Sequence, residues 1–391
     1  MRILITGGAG FLGLHLAKYY AKNVGTGRDL SLLDIAPFNK SEYPKNCVFI
    51  QGDIRDKNLI NQLIKSVDLV IHAAAALPLW RPEEIFDINV NGTKNLLEAA
   101  SKNKIKRFVF ISSTAVYGIP EKHPIFEDDP LIGVGPYGES KIQAERLCEK
   151  YRKMGLIVTI IRPKTFVGTH RLGVFEILFD WIKDGKRIPT IGSGNNRYQL
   201  LDVDDLVEAI YLCLTNKNAQ KINKTFNIGA EKFGTVREDL EELFEYAQAT
   251  GGAGACLPDR QGRAPDSAHP PAGGEHWREG NPRQAPSPRK KSTILPTPAF
   301  LVKKALWLFE KMKISPLYQW VYDTADHDSY VSINRLIDTL NWHPKYSNSE
   351  ALIKSYQWYL NNYKQIKSKI PGVTHTVGWD QGILKFFKKF L

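Results

Sequence analysis

Residues 1–16 read MRILITGGAGFLGLHL. Arg2 to Thr6 is a short run of buried-strand character, and Gly7, Gly10 and Gly13 follow in the pattern G-x-x-G-x-x-G. A turn this tight asks for positive φ, and a pyrophosphate can approach the backbone only where no Cβ intervenes. The apolar helix that opens near Phe11 (Phe11, Leu12, Leu14, Leu16, Ala17) would aim its free N–H groups and dipole at the phosphates. The next apolar run, Leu30 to Leu33, ends in Asp34, placed so that its carboxylate accepts hydrogen bonds from an adenosine ribose. A glycine pattern alone is weak evidence, since loops are glycine-rich for steric reasons too. Strand, turn, helix, strand and acid in this order predict a dinucleotide site.

Outward from that turn the alternation continues. A strand from Val48 to Ile50 ends at Gly52-Asp53-Ile54, Asp56 caps a helix, and Asp68 to His72 is a fourth strand. Ala73 to Ala76 follows without bulk, which suits either a ligand lying on the backbone or a helix packed closely on the sheet. A helix is predicted from Pro82 to Asn103, a fifth strand from Arg107 to Ile111 and a sixth from Leu156 to Ile161. The fold class predicted is α/β, a doubly wound parallel (Rossmann) sheet with a smaller α+β substrate-binding lobe.

Chemistry enters after strand five. Ser112-Ser113-Thr114 ends that strand, and Tyr137-Gly138-Glu139-Ser140-Lys141 opens a later helix. Residues four apart share a helix face, so Tyr137 and Lys141 are neighbours. A tyrosine, with a reference pKa of about 10, serves as a base only if a nearby positive charge stabilises its phenolate. An ammonium on Lys141 and an oxidised nicotinamide would both do so, while a strand-end hydroxyl orients the substrate alcohol. Tyr-x-x-x-Lys alone is common, and a packed ring beside a solvated charge would look the same. Downstream of a dinucleotide turn it becomes a candidate catalytic pair.

The 391 residues carry a formal net charge of +12, but the lysines are scattered and no nucleic-acid motif accompanies them, so an anionic cofactor, substrate or membrane surface explains the charge. The four cysteines show no close pairing, which argues against a zinc site or disulfide framework and fits a reducing cytoplasm. The first strand begins at residue 2, leaving no room for a signal peptide, and no apolar run is long enough to span a bilayer. The chain is expected to be cytoplasmic, without metal or nucleic acid.

TGGAGFLG at Thr6 to Gly13, ISSTAVYG at Ile111 to Gly118 and YGESK at Tyr137 to Lys141 resemble the extended short-chain dehydrogenase/reductases, in particular the NAD-dependent epimerase/dehydratase branch. The resemblance runs from Met1 to about Ala247 and resumes from about Leu295 to Tyr363. It implies that Gly7, Gly10, Gly13 and Asp34 bind the dinucleotide, that Asp53 and Ile54 lie at the adenine, and that Ala73, Asn89 and Pro163 line the cofactor. It implies a catalytic set of Ser113, Tyr137 and Lys141, with Tyr137 and Lys141 also at the nicotinamide ribose side. Asp34 without a nearby arginine implies NAD rather than NADP, and a homodimer is expected.

The same resemblance marks the departures. Thr165 stands where sugar-nucleotide enzymes usually carry an asparagine. Tyr198, with Arg197 beside it, stands where a strand arginine usually grips the substrate diphosphate, and Tyr322 replaces a second arginine; Thr165, Arg197 and Tyr198 are therefore the candidate substrate residues. Sugar-nucleotide 4,6-dehydratases of the family carry an acidic pair after the catalytic hydroxyl, and Thr114 and Ala115 occupy those positions, so dehydration by that route is not expected. Residues 1–165 are assigned to the NAD-binding domain, and 166–248 and 294–366 to the substrate-binding lobe. The Ala-, Gly-, Pro- and Arg-rich stretch 249–293 is read as a disordered insertion, and 367–391 as a basic amphipathic tail docking on a membrane surface or on protein. The expected function is oxidation or epimerisation of a sugar nucleotide at a secondary alcohol; the alternatives are a hydroxysteroid-dehydrogenase-like enzyme of a lipid alcohol and a non-catalytic NAD-bound regulator.

Overall fold

Ile3, Leu4, Ile5 and Thr6 are buried throughout and form β1 (Ile3–Thr6), the middle of a sheet. Successive strand residues leave opposite faces, so Ile3 and Ile5 enter one core layer and Leu4 the other. A strand can be apolar on both sides only because helices cover both faces. The computed structural model describes residues 2–23, 30–78, 80–170, 172–250, 291–312, 319–368, 371–372, 378–379, 384 and 388.

The turn leads into α1 (Phe11–Asn23), then β2 (Leu30–Asp34) and β3 (Val48–Gln51). Asp56 caps α2 (Lys57–Ile64), its Oδ1 accepting from the amides of Asn58 at 2.9 Å and Leu59 at 3.1 Å. After β4 (Leu69–His72), Ala73 to Ala76 is not helical, so the run is not a helix packed on the sheet. The helix predicted from Pro82 to Asn103 is broken into α3 (Pro82–Phe86) and α4 (Thr93–Lys102) by one wide π turn, Asp87–Gly92. β5 (Arg107–Ile111), α5 (Gly135–Lys153) and β6 (Val158–Pro163) follow as the alternation predicts. The chain goes on through β7 (Phe166–Val167), α6 (Phe175–Lys183), β8 (Ile188–Ile191), β9 (Leu201–Asp202), α7 (Val203–Thr215) and β10 (Thr225–Ile228).

Seven strands pair in the order β10-β6-β5-β4-β1-β2-β3, every pair parallel. Order reverses between β1 and β4, the switch point at which ligands of such sheets bind. α1 and α7 cover one face with Leu14, Leu16, Leu206 and Ile210; α2, α4 and α5 cover the other with Ile60, Ile64, Leu96, Leu97 and Ala144. His72 is buried at the seam, its Nδ1 2.7 Å from Thr6 Oγ1 and its Nε2 2.8 Å from Thr93 Oγ1, and burial pushes its pKa down to about 3. A neutral imidazole thus ties β1, β4 and α4 together.

The remaining elements are α8 (Val236–Ala249), β11 (Ile294–Thr297), which pairs with β8, α9 (Ala299–Lys311), α10 (Gln319–Thr324), α11 (Asn334–Leu340), α12 (Asn348–Asn361), α13 (Tyr363–Lys367) and the paired β12 (Pro371–Gly372) and β13 (Gly378–Trp379). Phe179, Trp181, Leu243, Phe244, Leu352, Tyr356 and Tyr359 from α6, α8 and α12 make a second core, so α6 is a packing helix rather than a substrate wall. Asn348 is fully buried where these parts meet. Its Oδ1 accepts from the Leu200 amide at 2.7 Å, and its Nδ2 donates to Tyr198 O and Asp239 Oδ2. The composition break at 249–293 and the tail 367–391 fall mostly outside the described residues. Two tail residues that are described, Leu384 and Lys388, dock on protein: Leu384 joins the second core, and Lys388 Nζ pairs with Asp180 at 2.5 Å and Asp184 at 2.7 Å. No helix among the described residues is long and apolar enough to cross a membrane.

Candidate active site

A cleft of about 470 Å³ opens at the C-terminal ends of the parallel strands, where the switch point predicts it. Its floor is the glycine turn. Gly7 has φ +73°, and a Cβ there would lie 2.8 Å from the Ala73 carbonyl carbon and the Ala74 nitrogen. Gly7 and Gly10 line the cleft together with Phe11 and Leu12 of the first turn of α1. Gly13 does not; a Cβ on it would meet Gly7 O at 2.3 Å, so it serves the close packing of α1 on the turn and not direct contact with a ligand.

Asp34 is held at the lip by two amides, Ala9 N to Oδ2 and Ala36 N to Oδ1, both at 2.9 Å. Asp53, Ile54 and Ala73 also line the cleft, and the Arg55 guanidinium, hydrogen-bonded to Asp53 at 2.6 Å, holds the Asp53 carboxyl below its ordinary pKa. Asn89 departs from its expected place. It is buried beneath the alanine run rather than lining the cleft, its Oδ1 accepting from the Ala76 amide at 2.8 Å and its Nδ2 donating to Ser140 Oγ at 3.0 Å. The π turn that carries it faces its amide toward the strand end, so it shapes the cleft wall through Ala76.

Ser113, Thr114, Tyr137 and Lys141 meet in the same cleft. Ser113 caps the short turn Thr114–Tyr117, its Oγ accepting from Ala115 N at 3.1 Å. Tyr137 lies in the first turn of α5, and the Lys141 Nζ sits 5.8 Å from its ring centroid while donating to Ile111 O at 2.9 Å. Burial pushes Tyr137 up to about 12, offset in part by a hydrogen bond with Ser113. Burial also lowers Lys141 to about 8, against the pull of Glu145. In the protein by itself, desolvation thus sets the Tyr137 value, while the Lys141 charge is engaged with the Ile111 carbonyl.

Beneath this set lies a network the sequence reading missed. Ser112 Oγ donates to Glu145 Oε1 at 2.5 Å, and the buried Arg162 holds Glu145 through Nε at 2.9 Å and Nη2 at 2.5 Å. Arg162 Nη1 donates to Tyr117 OH at 2.7 Å, and Tyr117 in turn to Asn227 Oδ1. A strand-end arginine and a helix glutamate were visible in the sequence, but nothing in their spacing pairs them.

On the second-lobe side Pro163, Lys164, Thr165 and Phe166 line the cleft. Thr165 Oγ1 is 3.1 Å from Tyr198 OH, which places Tyr198 behind the wall. Arg197 is exposed and turned away, its guanidinium carbon 4.7 Å from the Phe233 ring centroid and 4.8 Å from that of Tyr330. The alternation of an extended segment separates the two residues. Tyr322 is buried against α9, its hydroxyl donating to Glu310 Oε2 at 2.5 Å. Lys164, which the sequence reading passed over, is a buried ammonium on the cleft wall.

A doubly wound sheet with a glycine turn, Asp34 at the cleft lip and Ser113, Tyr137 and Lys141 in one cleft is the frame of a dinucleotide-dependent enzyme. The chain belongs to the NAD dependent epimerase/dehydratase family, whose model matches residues 3–229. It is 32% identical over 299 residues to the UDP-glucose 4-epimerase of Lactobacillus helveticus, covering 68% of this chain and 87% of that one. It is 30% identical over 283 residues to the dTDP-glucose 4,6-dehydratase of Streptomyces niveus, covering 67% and 82%. Among solved structures, the UDP-glucuronic acid 4-epimerase of Bacillus cereus in complex with NAD superposes with a TM-score of 0.66 at 21% identity, covering 93% of this chain and 98% of that one. NAD is the cofactor, and the residues present fit it: Gly7 and Gly10, the first turn of α1 and Asp34 line one end of the cleft, where backbone amides and a carboxylate suit a pyrophosphate and a ribose.

Proposed function

We propose that this enzyme oxidises a secondary alcohol carbon of a sugar nucleotide and returns the hydride to give the epimer. The observation that carries the reading is the meeting of Ser113, Tyr137 and Lys141 with the glycine turn in one cleft. NAD, when bound, supplies the hydride acceptor and, in its oxidised form, a positive charge. Gly7, Gly10 and Asp34 bind and orient the dinucleotide, Ser113 holds the alcohol oxygen, and Tyr137 takes the alcohol proton. Burial alone leaves Tyr137 at about 12, so it works as a base only with positive charge beside it. Lys141 is the protein's share of that charge, and it stays protonated below about 8.

Epimerisation is favoured over elimination of water by the cleft's charge pattern. Its lining carboxylates are Asp34 and Asp53, both on the side of the glycine turn away from Tyr137, and Thr114 and Ala115 follow Ser113. Three free buried cysteines, Cys47, Cys148 and Cys213, fit a reducing cytoplasm. The test is to incubate the NAD-loaded protein with UDP-, GDP- and dTDP-sugars and hydroxysteroids, following NADH and resolving products by NMR. An epimer from a sugar nucleotide is expected; a 4-keto-6-deoxy product, or turnover of a sterol alone, contradicts the reading.

One observation favours the lipid-alcohol alternative. α9 and the residue after it present Phe300, Leu301, Trp307, Leu308 and Met312 to solvent, with Lys304 Nζ over the Phe300 ring and Lys311 Nζ over Trp307, each at 5.8 Å. An apolar stripe with flanking lysines suits the surface of an anionic bilayer. Flotation with phosphatidylglycerol vesicles, lost in Trp307→Glu, would support that setting; no flotation would remove this support.

A further inference from the structure

We propose that Lys164 is the seat of an anionic group of the substrate, a carboxylate or a phosphate, on the second-lobe side of the cleft. This deepens, and rests on, the assignment of that side to the substrate. Lys164 is 3% exposed, between the cleft-lining Pro163 and Thr165. Its Nζ donates to Ser329 Oγ at 2.6 Å and lies 4.8 Å from the Tyr198 ring centroid. An ammonium has three donors, and among the described residues Ser329 is the only hydrogen-bond acceptor it has.

This is not how the chain treats its other sheltered lysines. Lys354 has Asp202 at 2.7 Å and Asp204 at 2.6 Å, and Lys388 has Asp180 and Asp184. Lys141 has the Ile111 carbonyl, with Glu145 exerting its charge from further along α5. Among the described residues no carboxylate pairs with Lys164, and burial alone lowers its pKa, to about 7. A buried cation without a counter-charge is costly, and a methionine would fill the same space at no such cost. A second polar atom nearby is also unspent: His123, close enough for the Lys164 charge to lower its pKa, has its Nε2 buried without a hydrogen-bond partner.

The cleft as a whole points the same way. Its lining cations are Lys141 and Lys164, and Lys141 is committed to Ile111 and Tyr137. Arg197 is exposed with its guanidinium against Phe233 and Tyr330, and neither it nor Tyr198 nor Tyr322 lines the space. An anionic group entering the second-lobe side therefore meets Lys164, whose two unused donors and restored charge would hold it.

The test is calorimetric titration of the NAD-loaded wild type and Lys164→Met with UDP, UDP-glucose, UDP-glucuronic acid, glucuronate and inorganic pyrophosphate. The expected result is a loss of about tenfold or more in affinity for the probe that carries the seated anion, with NAD affinity unchanged. Loss confined to glucuronate and UDP-glucuronic acid identifies a sugar carboxylate; equal loss for all three nucleotides and pyrophosphate identifies the diphosphate. Wild-type binding of glucuronate or pyrophosphate but of no nucleotide, weakened in the variant, keeps the anion seat and removes the sugar-nucleotide reading. Equal affinities of the two proteins for every probe, or no binding of any probe by wild type, overturns the proposal. Lys164→Gln replaces the methionine variant if the latter fails to bind NAD.

Discussion

Gly7 stands at φ +73° with the Ala73 and Ala74 backbone 2.8 Å from where a Cβ would sit. An alanine there is strained by about 1–2 kcal/mol in the backbone before any clash is counted. Gly7→Ala is expected to weaken NAD by at least about tenfold, read by quenching of protein fluorescence. Lys164 makes a different prediction. Its folded pKa of about 7 lies below the unfolded value, so the penalty for burying its charge is fully present below about 7 and fades as pH rises toward about 10.4. Lys164→Met should therefore be more stable than wild type at pH ~6, with the advantage shrinking by pH ~10 as urea midpoints are compared. Residues of the turn were legible in the sequence because backbone geometry permits only glycine there. Lys164 was not, since a lysine after a strand-end proline is usually a solvated charge, and only the tertiary wall formed with Tyr198 and Ser329 buries it.

Elements were legible where periodicity governs them. β1 is the unbroken apolar run that a strand covered on both faces requires, and Asp56 caps α2 where a capping residue is read. The π turn at Asp87–Gly92 was not, because its apolar spacing on either side is helical and the extra residue is absorbed by contacts with Ile54 and Ala76. Nor was the link from α5 to β6 through Glu145 and Arg162, which are 1% and 3% exposed. Removing one partner of such a buried pair leaves the other charge uncompensated, at a cost of about 3–5 kcal/mol. Arg162→Leu should show that loss in urea denaturation, and Arg162→Leu combined with Glu145→Leu should recover part of it. A double variant no more stable than the single would contradict the pairing account.

At the scale of the molecule, the sheet was readable from its repeating strand-helix order, and the cleft from the switch point of its strands. The part beyond the sheet was less readable: α6 is apolar on more than one face, so its sequence does not show that α8 and α12 are what it packs against, and Asn348 joins segments far apart in the chain. One cleft brings the glycine turn and the segment Pro163 to Phe166 together with Tyr137, and the proposal that this tyrosine removes the alcohol proton is central to the account. The most direct test is single-turnover NADH formation by the NAD-loaded protein with its best sugar nucleotide, comparing wild type with Tyr137→Phe. The account predicts a rate lower by about 100-fold or more with substrate affinity retained. NADH formation by Tyr137→Phe at the wild-type rate would contradict it.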